Sequence, residues 1–238
     1  MKNVVILTGA GISAESGIST FRDSDGLWEQ YRVEDVATYE AYLRNPELVI
    51  NFYNERRKGA FLAEPNEAHR QLVRLEEKYN VQIITQNIDN LHQDAGNTVV
   101  HEFHGTASTL LCLDCQERFT AQNFSFAQMP PKCPKCGGRI KPDFVFYGEG
   151  IPEKPYRMSM IEADEADVFL VIGTTGEVMP ACMIPQIARQ NGAKVIEINI
   201  SPSALTRSTT THFLQGKAGE VMTALMKEIK GSGLRVKG

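Results

Sequence analysis

The sequence has no long apolar run, no marked excess of charge of one sign and a single tryptophan. No hydrophobic stretch approaches the ~20 residues that a membrane-spanning helix needs, and the N-terminus lacks the features of a secretion signal. The 25 basic and 29 acidic residues give a net charge of −4, which does not favour binding to nucleic acid or a membrane surface. We therefore expect a cytoplasmic monomer with no nucleic-acid or membrane partner.

Cysteine is also scarce, but four of the five cysteines form two Cys-x-x-Cys pairs, Cys112/Cys115 and Cys133/Cys136. This spacing predicts a zinc-ribbon-like site, and four thiolates fill the tetrahedral shell of one structural zinc ion. The alternatives are a redox pair or cysteines with no joint role. We expect the fifth, Cys182, to be a small buried hydrophobic residue.

Short apolar runs alternate with helical patterns along most of the chain. Because buried parallel strands are almost wholly apolar, this alternation predicts an α/β fold with a Rossmann-like parallel sheet. The predicted strands are 4–7, 81–85, 98–102, 168–172 and 194–199. We also expect an amphipathic closing helix over 216–230.

Two segments interrupt this alternation. Residues 22–65 form a predicted cofactor loop and helical insertion, with Asn45 capping a helix that begins at Pro46 and runs to Phe61. Residues 108–142 form a zinc-binding insertion, which has turn residues between Cys112 and Pro142 and no helical period. We expect the two insertions to form a small domain beside a Rossmann-like domain of residues 1–21, 66–107 and 143–238.

A glycine-rich loop follows the first strand. Gly9, Gly11 and Ala14 match G-x-G-x-x-G/A, which places a dinucleotide pyrophosphate at a helix N-terminus. The alternative is a plain strand–helix turn. The ribose-binding acid expected about 20 residues later is missing, because Glu29 and Glu34 do not end a predicted strand. Dinucleotide binding is therefore favoured over hydride transfer.

Polar residues follow the other predicted strands, at the edge where α/β sheets bind ligands. They are Gln86, Asn87 and Asp89 after the second strand, His104 after the third, Thr174 after the fourth and Asn199 after the fifth. His104 could act as a general base on a sugar hydroxyl; the alternatives are a helix cap for the amides and a structural role for the histidine. We expect His69, His92, His101 and His212 to be structural.

The motifs resemble those of the sirtuins, which are NAD-dependent protein-lysine deacylases. They occur in the same order along the chain as in that family, and the resemblance covers nearly the whole sequence. The matching segments are Gly9–Gly17, Thr20–Arg22, Gln86–Asp89, His104–Gly105, the four cysteines, Val145–Glu149, Gly173–Thr174, Asn199 and Gly216–Ala218. The resemblance implies that NAD is consumed as a co-substrate, that acylated lysines of proteins are the substrates, and that free lysine, nicotinamide and O-acyl-ADP-ribose are the products.

The resemblance also implies site roles. His104 would be the catalytic base and Asn87 a second catalytic residue. The implied cofactor-binding residues are Gly9, Ala10, Gly11, Ser13, Ala14, Glu15, Phe21, Arg22, Trp28, Gln86, Asn87, Ile88, Asp89, Gly173, Thr174, Thr175, Asn199, Ile200, Ser201 and Ala218. Val145, Phe146, Tyr147, Gly148 and Glu149 would pair with the substrate backbone as an added strand.

A possible acyl pocket lies in the helical insertion. Tyr53 and Arg56 are three residues apart and so share a helix face, where a phenol and a guanidinium can bind a carboxylate. In the sirtuin subgroup that the sequence most resembles, this pair recognises succinyl and malonyl groups, and Ala37 matches an alanine that widens the pocket. The alternative is a surface helix with an incidental pair. We expect desuccinylase activity with retained deacetylase activity.

The sequence departs from the usual family pattern at Thr175, Met179 and Tyr147. The first keeps a hydroxyl, and the other two keep bulk but change polarity. Two other functions remain as alternatives. One is mono-ADP-ribosyl transfer to a protein at the same NAD site. The other is a zinc-ribbon module that binds a nucleotide without chemistry, although aromatic residues near its basic positions are sparse.

Overall fold

The computed structural model describes residues 1–19 and 31–232, and the side chains up to residue 229. Within them, the core is a six-stranded parallel sheet. Its strands are β1 (Asn3–Thr8), β2 (Asn80–Thr85), β3 (Val100–Glu102), β7 (Val168–Ile172), β8 (Lys194–Asn199) and β9 (His212–Gln215). The strand order in the sheet is β3-β2-β1-β7-β8-β9. The crossover at β1/β7 is the point at which a doubly wound sheet binds its ligand.

Apolar side chains cover both faces of this sheet, as parallel sheets require. One face packs on the helices α4 (Glu67–Leu75) and α8 (Ala218–Ser232), and the other on α6 (Glu153–Asp164) and α7 (Ile184–Gln190). A short helix, α5 (Leu91–Ala95), follows β2. Every residue of β7 is buried, in agreement with its wholly apolar sequence.

The second layer of structure comes from the two insertions. An antiparallel sheet in the order β5-β4-β6 contains β4 (Gly105–Cys112), β5 (Arg118–Thr120) and β6 (Ile140–Phe144). The other insertion forms the helices α1 (Val33–Val36), α2 (Tyr39–Arg44) and α3 (Pro46–Ala60). Of these, α2 and α3 share an apolar cluster with β4 and β6. Asn45 Oδ1 accepts a hydrogen bond from Leu48 N, which confirms the predicted cap of α3.

Several sequence predictions need correction. The sequence predicted turns in the segment after Cys112, but this segment contains the strands β5 and β6. Both strands are too short to show a clear alternation of apolar and polar residues. The Gly9 loop leads into two 3₁₀ turns, Ala10–Ile12 and Ala14–Ser16, and a left-handed Gly17, where an α-helix was expected. Cys182 is only partly buried. Among the described residues, no helix combines the length and apolar character needed to cross a membrane.

Candidate active site

Two glycine loops meet at the carboxyl ends of β1 and β7. Gly11 N donates to Gly173 O at 2.8 Å, and Gly9 N donates to Ile172 O at 3.0 Å. A Cβ at Gly11 would lie 2.7 Å from Gly173 Cα, and Gly173 has a φ of +64°, a conformation that glycine adopts without strain. Glycine is therefore required at both positions to let the loops touch, which places Thr174 beside the first loop.

Ser13, Asn87 and Asp89 form a polar cluster beside these loops. Ser13 Oγ donates to Asp89 Oδ2 at 2.6 Å, and Asn87 Nδ2 donates to Gly9 O at 3.0 Å and to Ser13 Oγ at 3.2 Å. Burial raises the pKa of Asp89, while the hydrogen bond from Ser13 lowers it. The cluster therefore holds an amide and a carboxyl group in fixed positions at the mouth of the sheet.

The side chains of Gln86 and Asn199 connect three strand ends. Gln86 Nε2 donates to Thr174 Oγ1 at 3.2 Å, and Asn199 Nδ2 donates to Thr174 O at 2.8 Å. Thr175 O accepts from the backbone of Ala204. The ends of β2, β7 and β8 are thereby held together, as expected for the edge of a dinucleotide crevice.

The other predicted cofactor residues differ in their surroundings. Glu15 Oε2 accepts from Gly219 N at 2.8 Å, next to the buried Ala218, whereas Ile200 and Ser201 are exposed after β8. Ile88 is partly buried, and its carbonyl accepts from Ala107 N. Ala10 and Ala14 begin the two 3₁₀ turns. Phe21, Arg22 and Trp28, together with Thr20, lie outside the described residues.

His104 lies between β3 and β4, facing the same edge. Its Nδ1 is 3.1 Å from Gln86 O, and because a carbonyl only accepts, Nδ1 carries the proton and Nε2 has the free lone pair. Burial lowers the pKa of His104, and the hydrogen bond to Gln86 opposes this shift. The imidazole is therefore neutral near pH 7, with the basic nitrogen fixed.

The segment Val145–Glu149 runs away from His104 toward the helical insertion. Four of its five backbone N–H groups donate hydrogen bonds within the chain. Val145 N donates to His104 O, Phe146 N to Glu149 Oε2, Tyr147 N to Ala37 O, and Glu149 N to Phe146 O. An added substrate strand would therefore have to use Gly148 N–H and the carbonyl groups. Pairing with substrate stays a prediction, and the buried Phe146 ring belongs to the core.

The predicted acyl-pocket residues lie at one end of this segment. The Tyr53 ring contacts those of Phe144 and Phe146, and burial raises the pKa of Tyr53. Arg56 stacks on Phe52, with its guanidinium carbon 3.5 Å from the ring centroid, and its Nη1 donates to Phe52 O. Ala37 is buried and bonded to Tyr147, so Tyr53 and Ala37 both contact the segment Val145–Glu149. Arg56 lies one helical turn from Tyr53.

The four cysteines of the two pairs converge at the tip of β4. Cys112 Sγ lies 3.6 Å from Cys136 Sγ, Cys115 Sγ lies 3.7 Å from Cys133 Sγ, and all four atoms are within 4.8 Å of one another. A zinc–sulfur bond of about 2.3 Å in a tetrahedron gives sulfur–sulfur distances of about 3.8 Å. The cluster therefore fits one zinc ion and leaves no open coordination position, as predicted.

Sequence reasoning missed two buried cations near the site. Lys141 lies on β6 and pairs with Glu149 of the segment Val145–Glu149, and Arg57 follows Arg56 on α3. A lysine or arginine in a polar stretch usually indicates an exposed surface, so the sequence carries no signal for either. His69 and His92 are buried and His101 is half-buried, all with structural contacts, whereas His212 is exposed on β9.

Comparison with known proteins agrees with this geometry. The Sir2 family profile matches residues 9–180. An NAD-dependent protein deacylase from Pyrococcus furiosus is 47% identical over 95% of this chain and 92% of its own. A solved Sir2 homologue–NAD complex has a TM-score of 0.89 and 41% identity, covering 96% of this chain and 90% of its own.

A second solved structure, a Sir2 protein with a deacetylated p53 peptide and 3′-O-acetyl ADP-ribose, has a TM-score of 0.85 and 32% identity, covering 94% of this chain and 92% of its own. The predicted Rossmann-like fold and four-cysteine zinc site are confirmed. Relatives of this sequence are named NAD-dependent protein deacylases. The chain therefore belongs to the Sir2 family.

Proposed function

We propose that this Sir2 enzyme uses NAD to remove acyl groups from protein lysines, including acidic ones such as succinyl and malonyl. The observation that carries the deacylase proposal is the fixed tautomer of His104. Its Nδ1 is held by Gln86 O, next in sequence to Asn87 of the Ser13–Asn87–Asp89 cluster, and its Nε2 keeps the basic lone pair. The names of the relatives and the NAD and peptide complexes of the structural neighbours support it.

Each residue of the edge has a task in this proposal. Bound NAD would supply an ADP-ribosyl group, so that acyl-lysine, NAD and one water would give free lysine, nicotinamide and O-acyl-ADP-ribose. The two glycine loops bring backbone close to the phosphates, and Asn87 and Asp89 orient the nicotinamide and ribose. His104 Nε2 accepts a proton from a ribose hydroxyl, and positioning supplies much of the rate.

The acidic-acyl part of the proposal depends on Tyr53 and Arg56. They are neighbours on one face of α3, and the buried phenol remains a hydrogen-bond donor because its pKa is raised. Arg56 has a buried Nε without a partner, so its guanidinium has donor capacity left for a carboxylate. An acyl chain that ends in a carboxylate would satisfy both side chains.

The test compares succinyl-, malonyl- and acetyl-lysine forms of one peptide with the wild type and with Tyr53→Phe/Arg56→Met. We expect the double variant to lose at least 10-fold in kcat/KM on the acidic acyl groups, the equivalent of about 1.4 kcal/mol, and to keep most acetyl turnover. Equal loss on all three peptides would refute the carboxylate receptor.

Mass spectrometry of the same reactions tests the chemistry itself. Deacylation gives a peptide lighter by the acyl group together with O-acyl-ADP-ribose. ADP-ribosyl transfer would instead give a peptide heavier by ADP-ribose, and a nucleotide-binding module would release no nicotinamide. Arg44→Met, which changes an exposed arginine elsewhere in the helical insertion, is the matched control and should behave as the wild type does.

A further inference from the structure

Arg57 is a buried cation that has no anionic partner among the residues that the structure describes. It lies on α3 with only 5% of its surface exposed, and its Nε and Nη2 are enclosed without a hydrogen-bond acceptor. Its guanidinium carbon is 5.9 Å from the centroid of Phe126, which comes from the zinc-binding insertion. Burial lowers the pKa of Arg57 to about 10, and within residues 1–19 and 31–232 no carboxylate offsets the cost of enclosing the charge.

The two donors left free on Arg57 are significant because of their position. Nε–H and Nη2–H are parallel and form the side of a guanidinium that binds a carboxylate through two hydrogen bonds. Enclosing such a charge without a partner is costly. A ligand with two acceptor oxygens in one plane would satisfy both donors at once, whereas a single carbonyl would leave one unpaired.

Arg57 also lies beside the proposed acyl pocket. On a helix, residues three and four apart are surface neighbours, so Arg56 and Arg57 flank Tyr53 on its two sides. Arg56 is already partly engaged, since its Nη1 donates to Phe52 O and its plane stacks on the Phe52 ring. The free two-donor side belongs to Arg57 and faces the zinc-binding insertion.

We propose that Arg57 forms a second anion site of this enzyme, between α3 and Phe126, that binds a carboxylate through Nε and Nη2. The carboxylate can come from two sources: the acyl chain of the modified lysine, or a free small carboxylate. The first source rests on the proposed deacylation of acidic acyl groups. The second does not depend on it.

The experiment has two arms and uses Arg57→Met, which removes the charge, and Arg57→Lys, which keeps the charge but loses the two-donor side. In the first arm, malonate is added against sodium chloride of equal ionic strength, and the melting temperature is measured. At ten times its dissociation constant, malonate should raise the melting temperature of the wild type and of the Arg44→Met control by about 3–6 °C. Both Arg57 variants should lose most of this shift.

In the second arm, kcat/KM is measured on succinyl- and acetyl-lysine peptides. A fall of 10-fold or more in the succinyl-to-acetyl ratio for Arg57→Lys assigns the carboxylate to the acyl chain. An unchanged ratio with the malonate shift lost assigns it to a free carboxylate. Either result supports the site.

The proposal is overturned if Arg57→Lys keeps both the malonate shift and the succinyl-to-acetyl ratio of the wild type. It is also overturned if Arg57→Met melts lower without malonate but shows the full malonate shift, because Arg57 would then be purely structural. Acetyl turnover by all variants reports the deacylase activity separately. Failure of the Arg57 site is thus distinguishable from failure of the proposed function.

Discussion

The ammonium Nζ of Lys141 lies 3.1 Å from Glu149 Oε2, where β6 meets the segment Val145–Glu149. The same Nζ donates to Phe144 O at 2.7 Å, and Glu149 Oε2 also accepts from Phe146 N at 2.8 Å. One cation that is 4% exposed therefore fixes both ends of the turn that carries Tyr147 and Gly148.

We predict that Lys141→Met raises the KM for acyl-lysine peptide about 10-fold and leaves the KM for NAD nearly unchanged. Breaking one partner of a buried pair typically costs about 3–5 kcal/mol of unfolding free energy, so the melting temperature should also fall. Lys141→Arg should recover most of the peptide KM. Lys135→Met removes an exposed pair with Glu117 on the zinc-binding insertion and serves as the control; an equal peptide effect there would contradict the prediction.

The pH profile of kcat/KM should show the titration of His104. Burial lowers its pKa below the ordinary value of about 6.5, and the neutral form is the base. Activity should therefore be level above the folded pKa and should fall about 10-fold per pH unit below it. His104→Ala should abolish turnover, while the exposed His212→Gln should keep the wild-type profile. A midpoint above about 6.5 would argue against this assignment.

Removing the Ser13 hydroxyl should act through Asp89. The hydrogen bond from Ser13 lowers the Asp89 pKa against the effect of burial, so Ser13→Ala should raise that pKa further. A hydrogen bond to a charged group contributes about 1.5–3 kcal/mol, which corresponds to a loss of about 10- to 100-fold in kcat/KM for NAD, greatest at low pH. Ser16→Ala, which loses only a bond from Asn66, should have normal NAD kinetics.

Zinc removal should disrupt the β4-β5-β6 sheet before the parallel sheet. We expect one zinc per chain in the purified protein, released by a chelator together with a lower melting temperature. Cys115→Ala should contain less than the wild-type zinc, whereas Cys182→Ala should contain the full amount. A zinc-free wild-type protein with the same melting temperature would show that the cysteines have no joint role.

The buried pair of His69 and His92 should make the fold acid-sensitive. Their rings lie 4.9 Å apart, and burial lowers the pKa of His69 to about 3 and that of His92 to about 4. Below pH ~6.5 the unfolded chain binds these protons and the folded chain does not, so stability falls with pH by about 1.4 kcal/mol per unit for each histidine.

His69→Gln should reduce this slope by about 1.4 kcal/mol per pH unit between pH 6 and 4, because glutamine keeps a capping acceptor for Asn66 N but binds no proton. The free energy of unfolding, measured with urea at several pH values, provides the check. His212→Gln should leave the slope unchanged, and an unchanged slope in His69→Gln would refute the explanation.

Much of this structure could be read from local sequence patterns. The apolar runs predicted five of the six parallel strands, and the Asn45-Pro46 pair predicted the start of α3. The sixth strand, His212–Gln215, was missed because it is short and partly exposed at the sheet edge. The 3₁₀ turns after Gly9 were missed because the glycine pattern is the same for a turn and for a helix.

The parallel sheet, the cysteine cluster and the order of polar residues at the strand ends follow from the amino-acid sequence alone, because each depends on local spacing and on strand ends that meet at one edge. The partners of the individual side chains follow from the packing of elements that are distant in sequence. The His104 tautomer depends on a carbonyl 18 residues away, and the Lys141–Glu149 pair and the unpaired Arg57 depend on burial between separate elements. Burial decides whether a charge is a solvated surface group or part of a site, and a sequence pattern does not record it.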